Sequence, residues 1–329
     1  MTTQRILVTG ATGFVGRHVV SHLVAQDKDL LLVVRDIGRC PVEWRNEPRI
    51  TVTEIADMTS VSELSGTMAG ADTVVHLAGL AHIAAGDRSD REEQFMLANA
   101  QGTSALCEAT LSSNIATFIH LSSLAAITGN STPETIGDRT NSEPVTAYGR
   151  SKREAERHVR RLAEAGAFAV SLRPPLVVGA DARGNWASLQ ALAATGLPLP
   201  FAGIGNCRSF ISVRTLAEAI AVLCDGDKPI TASGNYCLAD LPPISLPDLM
   251  RELRAGMGMQ ARLFSCPSAF FDMLGTITGR RRQIAGLTGD LRVDASRFYD
   301  TFGFHPSQGL PEAIRQSGKE YMKRRRHLG

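Results

Sequence analysis

Long apolar runs are missing from this chain of 329 residues. None approaches the ~20 residues that a membrane-spanning helix needs, so no span is expected. A strong charge of either sign is missing too. The formal net charge is +2, which sets up no field to gather nucleic acid. Paired cysteines are absent. Cys40, Cys107, Cys207, Cys224, Cys237 and Cys266 are scattered, without a CxxC pair or a zinc-like His spacing. They read as small core residues in a reduced compartment. No secretory leader is visible, since Met1 to Arg5 are all that precedes the first apolar run. Internal repeats and low-complexity tracts are lacking as well. A soluble cytoplasmic protein is the expectation. The one basic run, residues 323–326, reads as a solvated helix end, with a membrane-surface or partner contact as the alternative.

What is present is a strand–helix alternation. At 43% hydrophobic residues, the chain can bury one large core, or a large core and a smaller lobe. Apolar runs at 6–8, 30–34, 50–55, 73–77, 117–121 and 169–172 read as strands. Helical patterns lie between them at 14–25, 91–113 and 147–165. Continuous apolar strands separated by helices predict a parallel, doubly wound α/β sheet of Rossmann type, covered on both faces. The second half is less regular, with turn signals at 179–184, 196–205 and 241–247. It is expected to form a smaller, mixed α/β substrate lobe. Residues 1–172 then make the dinucleotide-binding domain, to which the chain returns around 205–235, and 173–329 make the lobe. The apolar stretch 269–278 reads as core packing, with a membrane-facing helix as the other option.

The stretch Thr9-Gly10-Ala11-Thr12-Gly13-Phe14-Val15-Gly16 follows a strand and opens a helix. Glycines at this spacing let the backbone turn tightly and approach a pyrophosphate. The helix N-terminus then offers free N–H groups and the positive end of its dipole. The end of the second strand usually separates the two nicotinamide cofactors. Here Arg35 precedes Asp36, and Arg17 lies just past the turn. An arginine suits a ribose 2′-phosphate, so NADP is expected ahead of NAD. The other reading gives Asp36 the ribose hydroxyl and lays Arg35 on the adenine.

Tyr148 and Lys152 stand four apart near a helix start, which puts them on one helix face. An ammonium beside a phenol favours the tyrosinate. Such a phenol can exchange a proton with a hydroxyl or carbonyl while hydride moves. On its own the pair would be a surface pair; the glycine turn upstream changes that. Ser122 and Ser123 end the preceding strand, where a hydroxyl can bond the reacting oxygen.

These residues resemble the extended short-chain dehydrogenase/reductase family, in its nucleotide-sugar epimerase/dehydratase group, over nearly the whole chain. The turn at 9–16 is similar to the TGxxGxxG motif of that family. Asp57 resembles its acidic residue at the adenine, and His76-Leu77-Ala78-Gly79 its segment along the cofactor ribose. Asn99 resembles an asparagine of the central helix. Ser123, Tyr148 and Lys152 match the catalytic triad, and Arg173-Pro174-Pro175 the loop beside the nicotinamide. Arg208, in a GxG…RSFISV segment, would by the same match contact a nucleotide diphosphate, with Asn185 near it. The resemblance thus implies bound NAD or NADP at Gly10, Thr12, Gly13, Phe14, Val15, Gly16, Arg35, Asp36, Asp57, Leu77, Ala78, Gly79, Asn99, Ser122, Tyr148, Lys152 and Pro174. It implies a UDP-sugar at Ser123, Asn185 and Arg208. Homodimers through two helices of the sheet domain are usual in such enzymes.

Two positions depart from the pattern. Leu124 stands where many epimerases of the group carry a third hydroxyl residue, and Leu176 where an asparagine is usual. The remaining segments resemble 4-ketoreductases acting on UDP-2-acetamido-2,6-dideoxy-4-hexuloses in surface-polysaccharide pathways. The expected activity is therefore a UDP-sugar 4-ketoreductase, with UDP-glucose or UDP-N-acetylglucosamine 4-epimerisation as the nearest rival. A dehydratase would want an acidic residue where Leu124-Ala125 stands. A non-catalytic NADP sensor or scaffold of this fold is the rival from another class.

Overall fold

Seven parallel strands form the central sheet of the computed structural model, which describes residues 4–81, 88–267, 271, 273, 276 and 281–327. The strands among the described residues are β1 (Arg5–Thr9), β2 (Asp29–Val34), β3 (Ile50–Glu54), β4 (Thr73–His76), β5 (Thr117–Leu121), β6 (Thr135–Ile136), β7 (Phe168–Arg173), β8 (Val177–Val178), β9 (Ile211–Ser212), β10 (Gly234–Cys237) and β11 (Arg292–Val293). Among the described residues the helices are α1 (Phe14–Val24), α2 (Val42–Arg45), α3 (Val61–Thr67), α4 (Arg88–Phe95), α5 (Gly102–Ser112), α6 (Ala147–Glu164), α7 (Asn185–Ala193), α8 (Val213–Cys224), α9 (Leu246–Gly256), α10 (Arg281–Thr288), α11 (Ser296–Phe302) and α12 (Leu310–His327). The sheet order is β10-β7-β5-β4-β1-β2-β3. The order reverses between β1 and β4, and open α/β sheets bind ligands beyond the strand ends at such a point.

The central strands are apolar throughout because both faces are covered. Ile6, Val8, Leu30, Leu32, Val75, Ile119 and Val170 face one core, with α1 and α8 in it. Leu7, Leu31, Val74, Phe118 and Ala169 face the other, against α3, α5 and α6. A further core lies around Trp186, Phe210, Met250 and Leu253, where α9 packs on α12.

Two features depart from the expected elements. The seventh strand, β10, carries only Tyr236 and Cys237 as buried residues. Its glycine and asparagine hide it from any periodicity. The single helix expected at 91–113 is interrupted by a π-helical turn, Met96–Gln101, between α4 and α5. That turn buries Asn99, a use of π-bulges seen often at functional sites.

The cysteines are all free, four of them buried. The basic run 323–326 sits exposed at the end of α12. Within 269–278, Phe271 is buried, its ring centroid 6.2 Å from that of Phe201, and Met273 is exposed. The rest of that stretch, and with it the choice between core and membrane-facing helix, lies outside the described residues. Among the described residues no helix is long and apolar enough to cross a membrane.

Candidate active site

The glycine turn closes over the end of β1. Gly10 has φ +73°, and a Cβ there would sit 2.4 Å from the Ala78 nitrogen. At Gly16 a Cβ would lie 2.2 Å from the Gly10 carbonyl oxygen. Both contacts are with backbone, which cannot swing aside. The Gly13 N–H donates to the Gly10 carbonyl at 3.0 Å. No side chain caps α1, so its first N–H groups face outward with the dipole's positive end. Thr12, Phe14 and Val15 are half-buried around the turn, and Leu77, Ala78 and Gly79 continue β4 beside it. A close glycine turn, an uncapped helix and a strand-end crevice together fit a dinucleotide pyrophosphate.

Arg35 and Asp36 follow β2, both exposed. Asp36 accepts from the Gly38 N–H at 2.9 Å and caps the short turn after the strand. Among the described residues no hydrogen bond reaches the second oxygen of its carboxylate. Asp57 is exposed, and Thr59 donates to it from its backbone and its hydroxyl (2.8 and 2.7 Å), which holds its pKa down. Arg17 does not support the NADP expectation. Its guanidinium pairs with Asp181 at 3.2 Å, in the loop between β8 and α7.

Tyr148 and Lys152 lie on α6, whose N-cap Thr146 accepts from the Gly149 N–H at 2.9 Å. Ser123 caps the short turn Leu124–Ala126 after β5 and accepts from the Ala125 N–H at 3.2 Å. Its hydroxyl lies near enough to Tyr148 to oppose the rise of the phenol's pKa. The two meet because of Gly149, where a Cβ would be 2.1 Å from the Ala125 carbonyl oxygen. Any larger residue would hold α6 away from the serine turn. Burial raises the Tyr148 pKa, with Ser123 opposing it, so the phenol keeps its proton near neutral pH. Its ring meets Phe95 edge-on at 5.8 Å.

Lys152 is buried and donates from Nζ to the Leu121 carbonyl at 2.8 Å. Burial pulls its pKa down to about 8, and the Glu156 carboxylate resists that pull. Asn99 ties the β4 extension to α6. Its Oδ1 accepts from the Leu80 N–H at 2.7 Å, and its Nδ2 donates to the Leu80 carbonyl and to Ser151 Oγ at 3.0 and 2.9 Å. Beneath these groups a buried polar row crosses the sheet. Thr9 bonds His76 (2.7 Å), His76 stacks on His120, and His120 bonds Ser171 (3.0 Å). Burial holds both imidazoles neutral, the Lys152 charge adding to it.

Several groups escaped the sequence reading. Glu156, one turn beyond Lys152, accepts from Arg173 through two bonds of 2.8 and 2.6 Å. The Ser122 hydroxyl donates to the same carboxylate at 2.6 Å. A Tyr-x-x-x-Lys-x-x-x-Glu spacing could have flagged Glu156; nothing local could have paired it with Arg173. A polar cavity of about 370 Å³ borders this pair, with Arg139, Arg153, Arg157 and Arg160 around it.

The other sequence candidates fall farther out. The Pro174 carbonyl accepts from the Leu124 N–H at 2.9 Å, joining the loop after β7 to the serine turn. Asn185 is exposed at the start of α7. Arg208 donates to the carbonyls of Gly289 (2.8 Å) and Asn130 (3.0 Å). Among the described residues no cluster of His, Cys, Asp and Glu could hold a metal ion.

The arrangement can pass a proton at Tyr148 beside a bound dinucleotide. The profile of the NAD dependent epimerase/dehydratase family matches residues 6–236. The chain is 29% identical to a UDP-glucose 4-epimerase of Vibrio cholerae over 97% of its own length and 96% of that protein's. It is 30% identical to a UDP-2-acetamido-2,6-beta-L-arabino-hexul-4-ose reductase of Pseudomonas aeruginosa over 57% of its length, spanning 40% of that protein. The solved structure of MoeE5 in complex with UDP-glucose and NAD superposes with TM-score 0.72 at 21% identity, over 99% of this chain and 100% of that one.

Proposed function

The chain belongs to the NAD dependent epimerase/dehydratase family, and on that premise we propose that this NAD(P)-dependent enzyme reduces the C4 carbonyl of a UDP-4-keto-6-deoxy-N-acetylhexosamine. The observation that carries the redox chemistry is the Ser123–Tyr148–Lys152 cluster beside the glycine turn. What favours net reduction is its surroundings. Leu124 is buried and Leu176 packs into the core around Trp186, at positions where many epimerases of the group carry polar side chains. Arg35 stands exposed at the rim, suited to the ribose phosphate of an exchangeable NADPH.

Gly10, Gly13 and Gly16 would hold the pyrophosphate of the dinucleotide, and Asp57 would serve its adenine. Leu77, Ala78, Gly79 and Lys152 would hold its ribose. When bound, the nicotinamide would supply the hydride. Ser123 donates to the carbonyl oxygen and fixes its place. Tyr148 gives its proton to that oxygen as charge builds there. The Lys152 ammonium stabilises the tyrosinate left behind. Arg208 and Asn185 take the diphosphate of the sugar nucleotide, Arg208 leaving its carbonyl partners to do so.

The full-length likeness to a 4-epimerase supports a second reading, in which the same groups run the reaction in both directions with retained NAD. One assay separates the two. Under the reductase reading, NADPH is consumed when a UDP-4-keto-6-deoxy-N-acetylhexosamine is added. Interconversion of UDP-GlcNAc and UDP-GalNAc without added cofactor, and no NADPH loss with any 4-keto sugar, would overturn it.

Cofactor choice has its own test. Arg35→Ala is expected to raise the KM for NADPH about tenfold or more, an interaction of ~1.4 kcal/mol with the 2′-phosphate. The KM for NADH should barely move. An equal change for both cofactors would remove Arg35 from phosphate recognition and return the choice to Asp36.

A further inference from the structure

We propose that the buried Glu156–Arg173 pair is a positioning unit for Lys152, holding its ammonium in place and charged at working pH. The inference rests on the assignment of Tyr148 and Lys152 to the reaction.

The geometry is specific. Glu156 is 4% exposed and Arg173 7%. A lone charge at such burial is costly, and a pair persists only with its remaining bonds satisfied. Here they are. Glu156 Oε1 accepts from Arg173 Nε and from Ser122 Oγ, and Oε2 from Arg173 Nη2, with the Asn235 amide at 3.4 Å. One carboxylate thus ties α6 to the ends of β5 and β7 and to Asn235 within β10. It sits one helical turn from Lys152, the spacing at which helix side chains adjoin. Lys152 in turn donates to Leu121, next to Ser122. The same bonds that lock Glu156 therefore fix where the lysine can lie.

The charges around Lys152 make the electrostatic part explicit. On its own helix stand Tyr148, kept neutral by burial, and Glu156. From β4 and β5 come His76 and His120, both neutral. From β7 comes Arg173, whose charge is matched by Glu156. Glu156 is the negative charge in this set, and it opposes the burial that lowers the lysine. The lysine's folded pKa of about 8 lies below its unfolded value, so the ammonium is present below pH 8 and is lost as pH rises through it. Removing the Glu156 charge lowers that point further.

The test reads Lys152 directly. The chain has five lysines, Lys28, Lys152, Lys228, Lys319 and Lys323, so carbon-labelled lysine gives a short spectrum. Loss of one signal in Lys152→Arg assigns it. In Glu156→Gln, which keeps the amide in the bonding site, the Lys152 midpoint is expected to fall by about one pH unit, as for an opposite charge removed at close range. The alkaline limb of the reduction rate should fall with it. A double variant, Glu156→Gln with Arg173→Gln, removes both charges together and serves if the single variant does not fold. Its midpoint should fall by less than in the single variant, because the Arg173 charge that opposes the ammonium is removed with Glu156.

An unchanged midpoint in a folded variant, with only a lower melting temperature, would reduce the pair to a structural tie and overturn the proposal. The titration needs no substrate. A chain that fails to reduce 4-keto sugars but shows the shifted midpoint would therefore refute the reductase reading alone.

Discussion

Tyr148→Phe is expected to lower kcat by about 10²–10⁴, the usual contribution of a positioned proton donor. The change deletes one hydroxyl. The ring keeps its edge contact with Phe95 and the helix keeps its Thr146 cap, so the melting temperature should move by only a degree or two. Because the phenol acts on the oxygen in the transition state, KM should stay close to the wild-type value. Cofactor titration should be unchanged. The comparison of rates at saturating substrate, with a melting curve on the same sample, checks all of this. Retention of a tenth or more of the rate would mean that the proton comes from elsewhere. Unchanged cellular function in the same variant would revive a sensor or scaffold role.

Gly16→Ala attacks the other half of the site. The added methyl would stand 2.2 Å from the Gly10 oxygen and 2.6 Å from the Ala11 oxygen. No rotamer relieves a contact made by Cβ with backbone, so α1 must shift from the turn. Forcing extra carbon into a packed place costs about 1–3 kcal/mol. If that cost falls on the conformation that holds the cofactor, affinity drops by roughly 10- to 100-fold. Fluorescence titration with NADH and NADPH reads it. The two substitutions should separate cleanly, since Tyr148→Phe loses rate and keeps cofactor, while Gly16→Ala loses cofactor. Wild-type affinity in Gly16→Ala would show that the turn does not carry the pyrophosphate.

Much of this site is legible in the chain because its signals are local. The turn at 9–16 combines a strand, three glycines and a helix within a dozen residues. Tyr148 and Lys152 are one helical turn apart. Ser122 and Ser123 close an apolar strand. Each depends on short-range geometry that every copy of the pattern shares. Arg17 shows the limit. Sequence proximity placed it by the ribose, and a residue 164 positions away claims it instead. The π-helical turn at 96–101 shows another, since the apolar spacing of a helix does not report where its ladder slips by one residue.

The sequence alone determined the doubly wound sheet, the dinucleotide turn and the tyrosine–lysine pair, because periodicity and spacing encode them within single elements. Tertiary structure alone decided that Gly149 brings Tyr148 to Ser123, that Asn99 joins the β4 extension to α6, and that Glu156 finds Arg173. Those contacts join segments that are distant along the chain. They exist because seven strands, once paired, bring their carboxyl ends to one edge, where buried charges persist only as partners of one another.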